Sequence, residues 1–130
     1  MSFIRSGLIG SAVVAAALSV ASPALAHPKL LASSPAANAT VAKPSKVELR
    51  LSEKLVGQFS SAELVMTGMP GMANHGPMKI NGTATSLGAD GKTLVVKLKQ
   101  PLSAGTYKLD WHVVSTDTHR VNGTYSFRVR

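Results

Sequence analysis

The sequence predicts an all-β sandwich or barrel. Three observations carry this: short runs that alternate polar and apolar residues, turn residues at roughly the 8–12-residue spacing of β-sandwiches, and no helical periodicity over ten or more residues past the N-terminal segment. The elements follow in chain order. Residues 1–26 read as a secretory signal peptide. Arg5 supplies the positive start, an apolar run covers about Gly7 to Ala21, and Ala24-Leu25-Ala26 has the A-x-A form of a cleavage site. The run is shorter than the ~20 residues of a membrane span, and no later segment is long and apolar enough to be one. Residues 27–130 then form a single mature domain of 104 residues that begins at His27.

Within that domain, Lys46-Val47-Glu48-Leu49-Arg50-Leu51 places Val47, Leu49 and Leu51 on one face of a strand. Further strands are expected at Ala62–Met66, Thr93–Leu98, Thr106–Val114 and Thr124–Val129, with turns at Ala89-Asp90-Gly91-Lys92 and Pro101–Gly105. Trp111 belongs to the core, and His112 faces the other way, as a surface or packing residue with a copper role as the lesser reading. After Met66 no clear strand follows until Thr93, a gap long enough to mark a functional loop.

The chain has no cysteine, so packing rather than disulfides must hold this small exported domain. Its formal charge is +8, and losing Arg5 with the leader leaves +7. The cations are spread along the chain, with no arginine-rich run and no aromatic-interleaved basic stripe, so nucleic acid is not an expected partner. An anionic membrane surface, or an acidic patch on a membrane protein, stays open.

Apart from Met1, every methionine lies between Met66 and Met78: Met66, Met69, Met72 and Met78, with His75 among them. Gly68, Pro70, Gly71, Gly76 and Pro77 prevent one continuous buried face. Met66 continues a strand and reads equally as core or as ligand. Thioethers are soft, neutral ligands that select Cu(I), and an imidazole suits either copper oxidation state. The rival reading is an adaptable, methionine-rich protein-binding surface.

A second constellation joins His27 to Ser115-Thr116-Asp117-Thr118-His119. After cleavage, the His27 α-amine and Nδ1 can chelate a metal together. Asp117 and His119 are two apart, and on an extended segment they would point the same way. Amine, two imidazoles and a carboxylate form a nitrogen/oxygen set suited to Cu(II). The bland readings are a turn residue for Asp117 and an ordinary exposed histidine for His119. Glu53, just past the first strand, is either a solvated charge or a hydrogen-bond support for the Cu(II) ligands.

These residues resemble the CopC/PcoC family of periplasmic copper-resistance proteins. The likeness rests on His27-Pro28-Lys29-Leu30, on Leu51-Ser52-Glu53-Lys54-Leu55, on the run Leu64–Met72, on Gly105–Trp111 and on Val113–His119. It covers essentially all of the mature chain. The resemblance implies a Greek-key β-barrel or sandwich of about seven strands, cupredoxin- or immunoglobulin-like, with copper sites at opposite ends. It implies Cu(II) held by His27, Asp117 and His119, and Cu(I) held by Met66, Met69, Met72 and Met78 with His75. It also implies a periplasmic, monomeric copper carrier that serves copper resistance and homeostasis, not an enzyme, with a CopD-type inner-membrane protein as partner. Arg120 stands where the family pattern has proline, a cation beside the Cu(II) ligands that would weaken binding or favour an acidic partner. The enzyme alternative is a copper oxidase or monooxygenase with a histidine brace. It would need a flat aromatic surface for a polysaccharide, and Phe59 is the one mature aromatic expected in a loop.

Overall fold

The computed structural model describes residues 27–72 and 76–130; the expected leader, residues 1–26, and His75 lie outside the described residues. Among the described residues nine strands form two sheets: β1 Leu30–Ser34, β2 Thr40–Val41, β3 Lys46–Leu51, β4 Ser61–Gly68, β5 Met78–Lys79, β6 Ala84–Leu87, β7 Thr93–Lys97, β8 Gly105–Val114 and β9 Arg120–Val129. One sheet has the order β1-β3-β7-β6, the other β2-β9-β8-β4-β5. Every pairing is antiparallel except β2 with β9. The chain passes repeatedly from one sheet to the other, as a Greek-key sandwich requires. β2 and β5 have two residues each; of the other seven, β3, β4, β7, β8 and β9 lie where the sequence predicts strands, and β1 and β6 are further strands.

The alternating residues are the core. Val47, Leu49 and Leu51 of β3 and Leu94 and Val96 of β7 face Leu64 and Met66 of β4, Tyr107, Leu109, Trp111 and Val113 of β8, and Phe127 and Val129 of β9. All are nearly or fully buried, and interdigitation of two inner faces is what holds such a sandwich. Trp111 lies between Ala62 and Gly123 in register. A methyl group added at Gly123 would overlap the indole ring, so the small residue on β9 is what lets the large one on β8 pack. His112 is exposed on the opposite face, as the alternation predicts.

Two expectations change. The gap after Met66 is not one continuous loop: β4 runs on to Gly68, Met69 and Met72 bridge one another, and β5 and β6 follow. The segment from Ser115 to His119 is a tight turn, not extended backbone. Thr118 occupies the left-handed region at φ 74°, and its N–H donates to the Ser115 carbonyl at 2.9 Å. The short chain reversal from β8 into β9 leaves no room for an extended Asp-x-His.

Candidate metal centres

β8 is ten residues long, so at ~3.3 Å per residue its ends lie roughly 30 Å apart. The two ligand-rich segments sit at these two ends.

At the Val114 end, the residues that follow β3 form a wall shared by the N-terminal segment and the turn after β8. On one side the Lys29 N–H donates to Ser52 Oγ at 2.8 Å and the Ser52 N–H donates to the Lys29 carbonyl at 2.9 Å. On the other, the Thr116 N–H donates to the Lys54 carbonyl at 2.9 Å and the Val56 N–H to the Val114 carbonyl at 2.8 Å. Pro28 is buried, which anchors the chain just behind His27. The result is that His27 meets His119 edge to face, ring centroids 4.7 Å apart.

Asp117 meets His119 from within the turn, Oδ2 to Nδ1 at 3.0 Å. The Ser115 hydroxyl donates a short hydrogen bond to Asp117 Oδ1 and accepts the His119 N–H at 3.3 Å. The Ser115 N–H donates to the His119 carbonyl at 2.9 Å. Ser115 is fully buried, so it is the fixed point about which the two candidate ligands are oriented. The Ser115 hydrogen bond, with a smaller contribution from His119, holds the Asp117 carboxyl below the usual carboxylate value against an opposing contribution from burial. No motif in the sequence gives Ser115 a role. The available signal was its spacing: a serine two residues before an aspartate at a strand end is a local hydrogen-bonding turn pattern.

Among the described residues, no three His, Asp or Glu side chains already converge as ligands of one ion; the contacts are pairwise. The pairwise geometry nonetheless fits a metal. His119 Nδ1 is shielded from solvent and makes no aligned hydrogen bond, although Asp117 Oδ2 is 3.0 Å away. Two ligand atoms at right angles, each ~2.1 Å from one ion, are separated by about that distance. Glu53 lies between Ser52 and Lys54, the two residues that tie the wall to its neighbours. It is half-buried, and its carboxylate makes no ion pair or hydrogen bond among the described residues.

At the Gly105 end the methionines form two cross-strand pairs. Met66 on β4 stands opposite Met78 on β5, and directly opposed residues share a face with Cβ atoms ~5 Å apart. Met69 and Met72 exchange both backbone hydrogen bonds, at 3.1 and 2.9 Å, around Pro70 and Gly71. Gly71 has φ +81°, which is the conformation a Pro-Gly type II turn demands at its third residue. The four thioethers differ in exposure. Met66 is buried at 7%, Met69 is half-buried against the core, and Met72 and Met78 are exposed at 55% and 52%. A Cβ at Gly105 would come within 2.6 Å of the Met66 methyl, so this side chain is directed at the start of β8.

A concavity of about 810 Å³ belongs to neither segment. It lies on the outer face of β4, β8 and β9, lined by Glu63, Asp110, His112 and Asn122 among others, so His112 is not brought to either ligand set.

Comparison with known proteins agrees with this architecture. The CopC domain family matches residues 30–130. Copper resistance protein C of Pseudomonas syringae pv. tomato is 52% identical over 116 residues, covering 89% of this chain and 90% of that protein. Copper resistance protein C of Escherichia coli is 43% identical over 130 residues, covering 100% of both. The crystal structure of PcoC, a methionine-rich copper resistance protein from E. coli, superposes with a TM-score of 0.73 at 46% identity, over 81% of this chain and 100% of that one. With the matching sandwich, the shared sequence and the family match over nearly all described residues, the chain belongs to the CopC family.

Proposed function

We propose that the mature protein is a periplasmic copper carrier, holding Cu(II) at the Val114 end of β8 and Cu(I) at the Gly105 end. The observation that supports it most is the contact of His27 with His119, with the Asp117 carboxylate beside it. Residues far apart in the chain are brought together there by hydrogen bonds to Ser52 and Lys54 and by the buried Pro28. His27 would add its α-amine once cleavage frees it, which completes a nitrogen/oxygen set for Cu(II). Glu53 would support that set from the wall. Met66, Met69, Met72 and Met78, with His75, would supply soft donors for Cu(I). The relatives are named for copper resistance, and by the family resemblance a CopD-type inner-membrane protein is the exchange partner.

Carriage is favoured over catalysis. Among the described residues Phe59 is the exposed large aromatic, at 56%, and a single ring offers no flat platform for a polysaccharide. The Asp117 carboxylate also takes a place that oxygen chemistry needs open.

The test is copper titration of mature wild type and two variants, in both oxidation states. Wild type takes one Cu(II) with a nitrogen/oxygen spectrum and one Cu(I). H119A loses Cu(II) and keeps Cu(I), and M69A/M72A does the reverse. If either variant abolishes both, the two-centre reading fails.

A further inference from the structure

The charge of this domain is distributed by end, and the two ends differ. The turns at the Val114 end carry acids as well as bases: Glu53, Asp90 and Asp117 all lie there. The Gly105 end carries Lys43, Lys79, Lys97, Lys99 and Arg128, all exposed, from four different parts of the chain. The register and backbone bonds place them at this end. Met78-Lys79 pairs with Val65-Met66, Arg128 with Thr106, and Lys97 with Lys46, while the Leu98 and Leu102 N–H groups bond the Ser45 and Pro44 carbonyls next to Lys43.

Among the described residues no ion pair neutralises any of these five; the lysine–carboxylate pairs are Lys46–Glu48 and Lys108–Asp110. Lys97 stands directly opposite Lys46 across the sheet, a like-charge arrangement that costs stability. Folding does not require this crowding of cations. Beside it stand the two exposed thioethers, Met72 and Met78.

We infer that the Gly105 end is a membrane-docking surface, which lays the methionine hairpin against an anionic lipid bilayer and leaves the His27 end facing solvent. Four of these five cations are lysines; Arg130, exposed beside Val129 at the same end, adds a second arginine. Lysine is a hydrated point charge that suits a diffuse anionic surface, whereas matched carboxylates on a protein favour the bidentate fork of arginine. Lys79 is the sequence neighbour of the exposed Met78, and the other cations are spread over both sheets at the same end. Unpaired bases and exposed apolar side chains on one end are the combination that joins electrostatic attraction to shallow apolar insertion.

The experiment is vesicle flotation with the mature full-length domain, free of copper. Vesicles are pure phosphatidylcholine, or phosphatidylcholine with phosphatidylglycerol. Wild type floats with the anionic vesicles at low salt, not with the zwitterionic ones, and is released at high salt. At about fivefold per basic residue, K79E/K99E weakens binding by at least ~25-fold. The charge-matched R50E/K92E, toward the opposite end, keeps it. Circular dichroism confirms that each variant is folded. The inference is overturned if wild type does not float with anionic vesicles at low salt, in which case the basic end serves an acidic protein or no partner. It is equally overturned if both variants lose binding alike, because net charge alone then accounts for it. Neither outcome bears on the copper ligands, so the two proposals fail separately.

Discussion

Ser115→Ala is the most informative single substitution at the proposed Cu(II) end. Ser115 is 1% exposed. Its hydroxyl donates to Asp117 Oδ1 and accepts the His119 N–H at 3.3 Å. Removing one oxygen therefore frees the carboxylate to rotate and loosens the backbone that carries the imidazole. Groups that orient metal ligands cost ~10–100-fold in affinity when removed. Because Ser115 steadies both ligands from within one turn, we expect the upper half of that range, ~30–100-fold. The assay is competition for Cu(II) against a chelator of known affinity, with Cu(I) binding measured in parallel. Loss of Cu(II) affinity with unchanged Cu(I) affinity is the predicted result. A variant that binds Cu(II) within threefold of wild type would refute the idea that the turn is preorganised by Ser115.

Four further outcomes follow from the same coordinates. Ser60→Ala removes the hydroxyl that accepts the Val114 N–H at 3.0 Å. It should destabilise the fold by ~1–3 kcal/mol in denaturant melts while leaving Cu(II) affinity within a few-fold. Met66→Ala should cost ~2–5 kcal/mol by emptying a core position, whereas Met72→Ala, on the surface, should stay within ~0.5 kcal/mol; both should weaken Cu(I) binding. Gly123→Ala drives a methyl into the Trp111 ring and should lower stability by ~1–3 kcal/mol, with a changed tryptophan emission. Cu(II) affinity should fall steadily on acidification from pH 8 to pH 5, because nitrogen ligands bind only when deprotonated, while thioethers carry no proton and their hold on Cu(I) should change little. The Asp117 carboxyl is held below 3.8, so its contribution is fully present above that value and is lost only as pH falls through its lowered folded value. A Cu(II) loss centred on the carboxylate range would contradict this.

The central strands were legible because they are half-buried in the ordinary way. β3, β7, β8 and β9 each alternate, and each contributes the expected residues to the core. β1 was not visible: Leu30–Ser34 is an edge strand with mixed burial, so its sequence carries no period. β2 and β5 are two residues long, too short for any pattern, and exist through pairing with β9 and β4. The methionine segment is legible in its composition but not in its shape. Its Pro-Gly pair makes a hairpin turn in which Met69 and Met72 face one another, where a continuous loop was expected. The Asp117–His119 proximity was expected from an extended segment and arises from a turn, with Thr118 in the left-handed region that a threonine rarely adopts. No local pattern predicts that conformation; the short β8–β9 connection imposes it. His75, the expected imidazole of the Cu(I) set, falls outside the described residues.

The central claim is that two chemically distinct copper centres sit at the ends of one sandwich, one of them created by leader cleavage. The most direct measurement compares mature protein starting at His27 with a variant carrying one extra residue before it, titrated with Cu(II) and with Cu(I). The account predicts that the extra residue abolishes or sharply weakens Cu(II) binding, because it converts the His27 amine to a peptide nitrogen, and leaves Cu(I) binding intact. Equal Cu(II) binding by the two forms would show that the His27 amine is not a ligand and would contradict the account at its core.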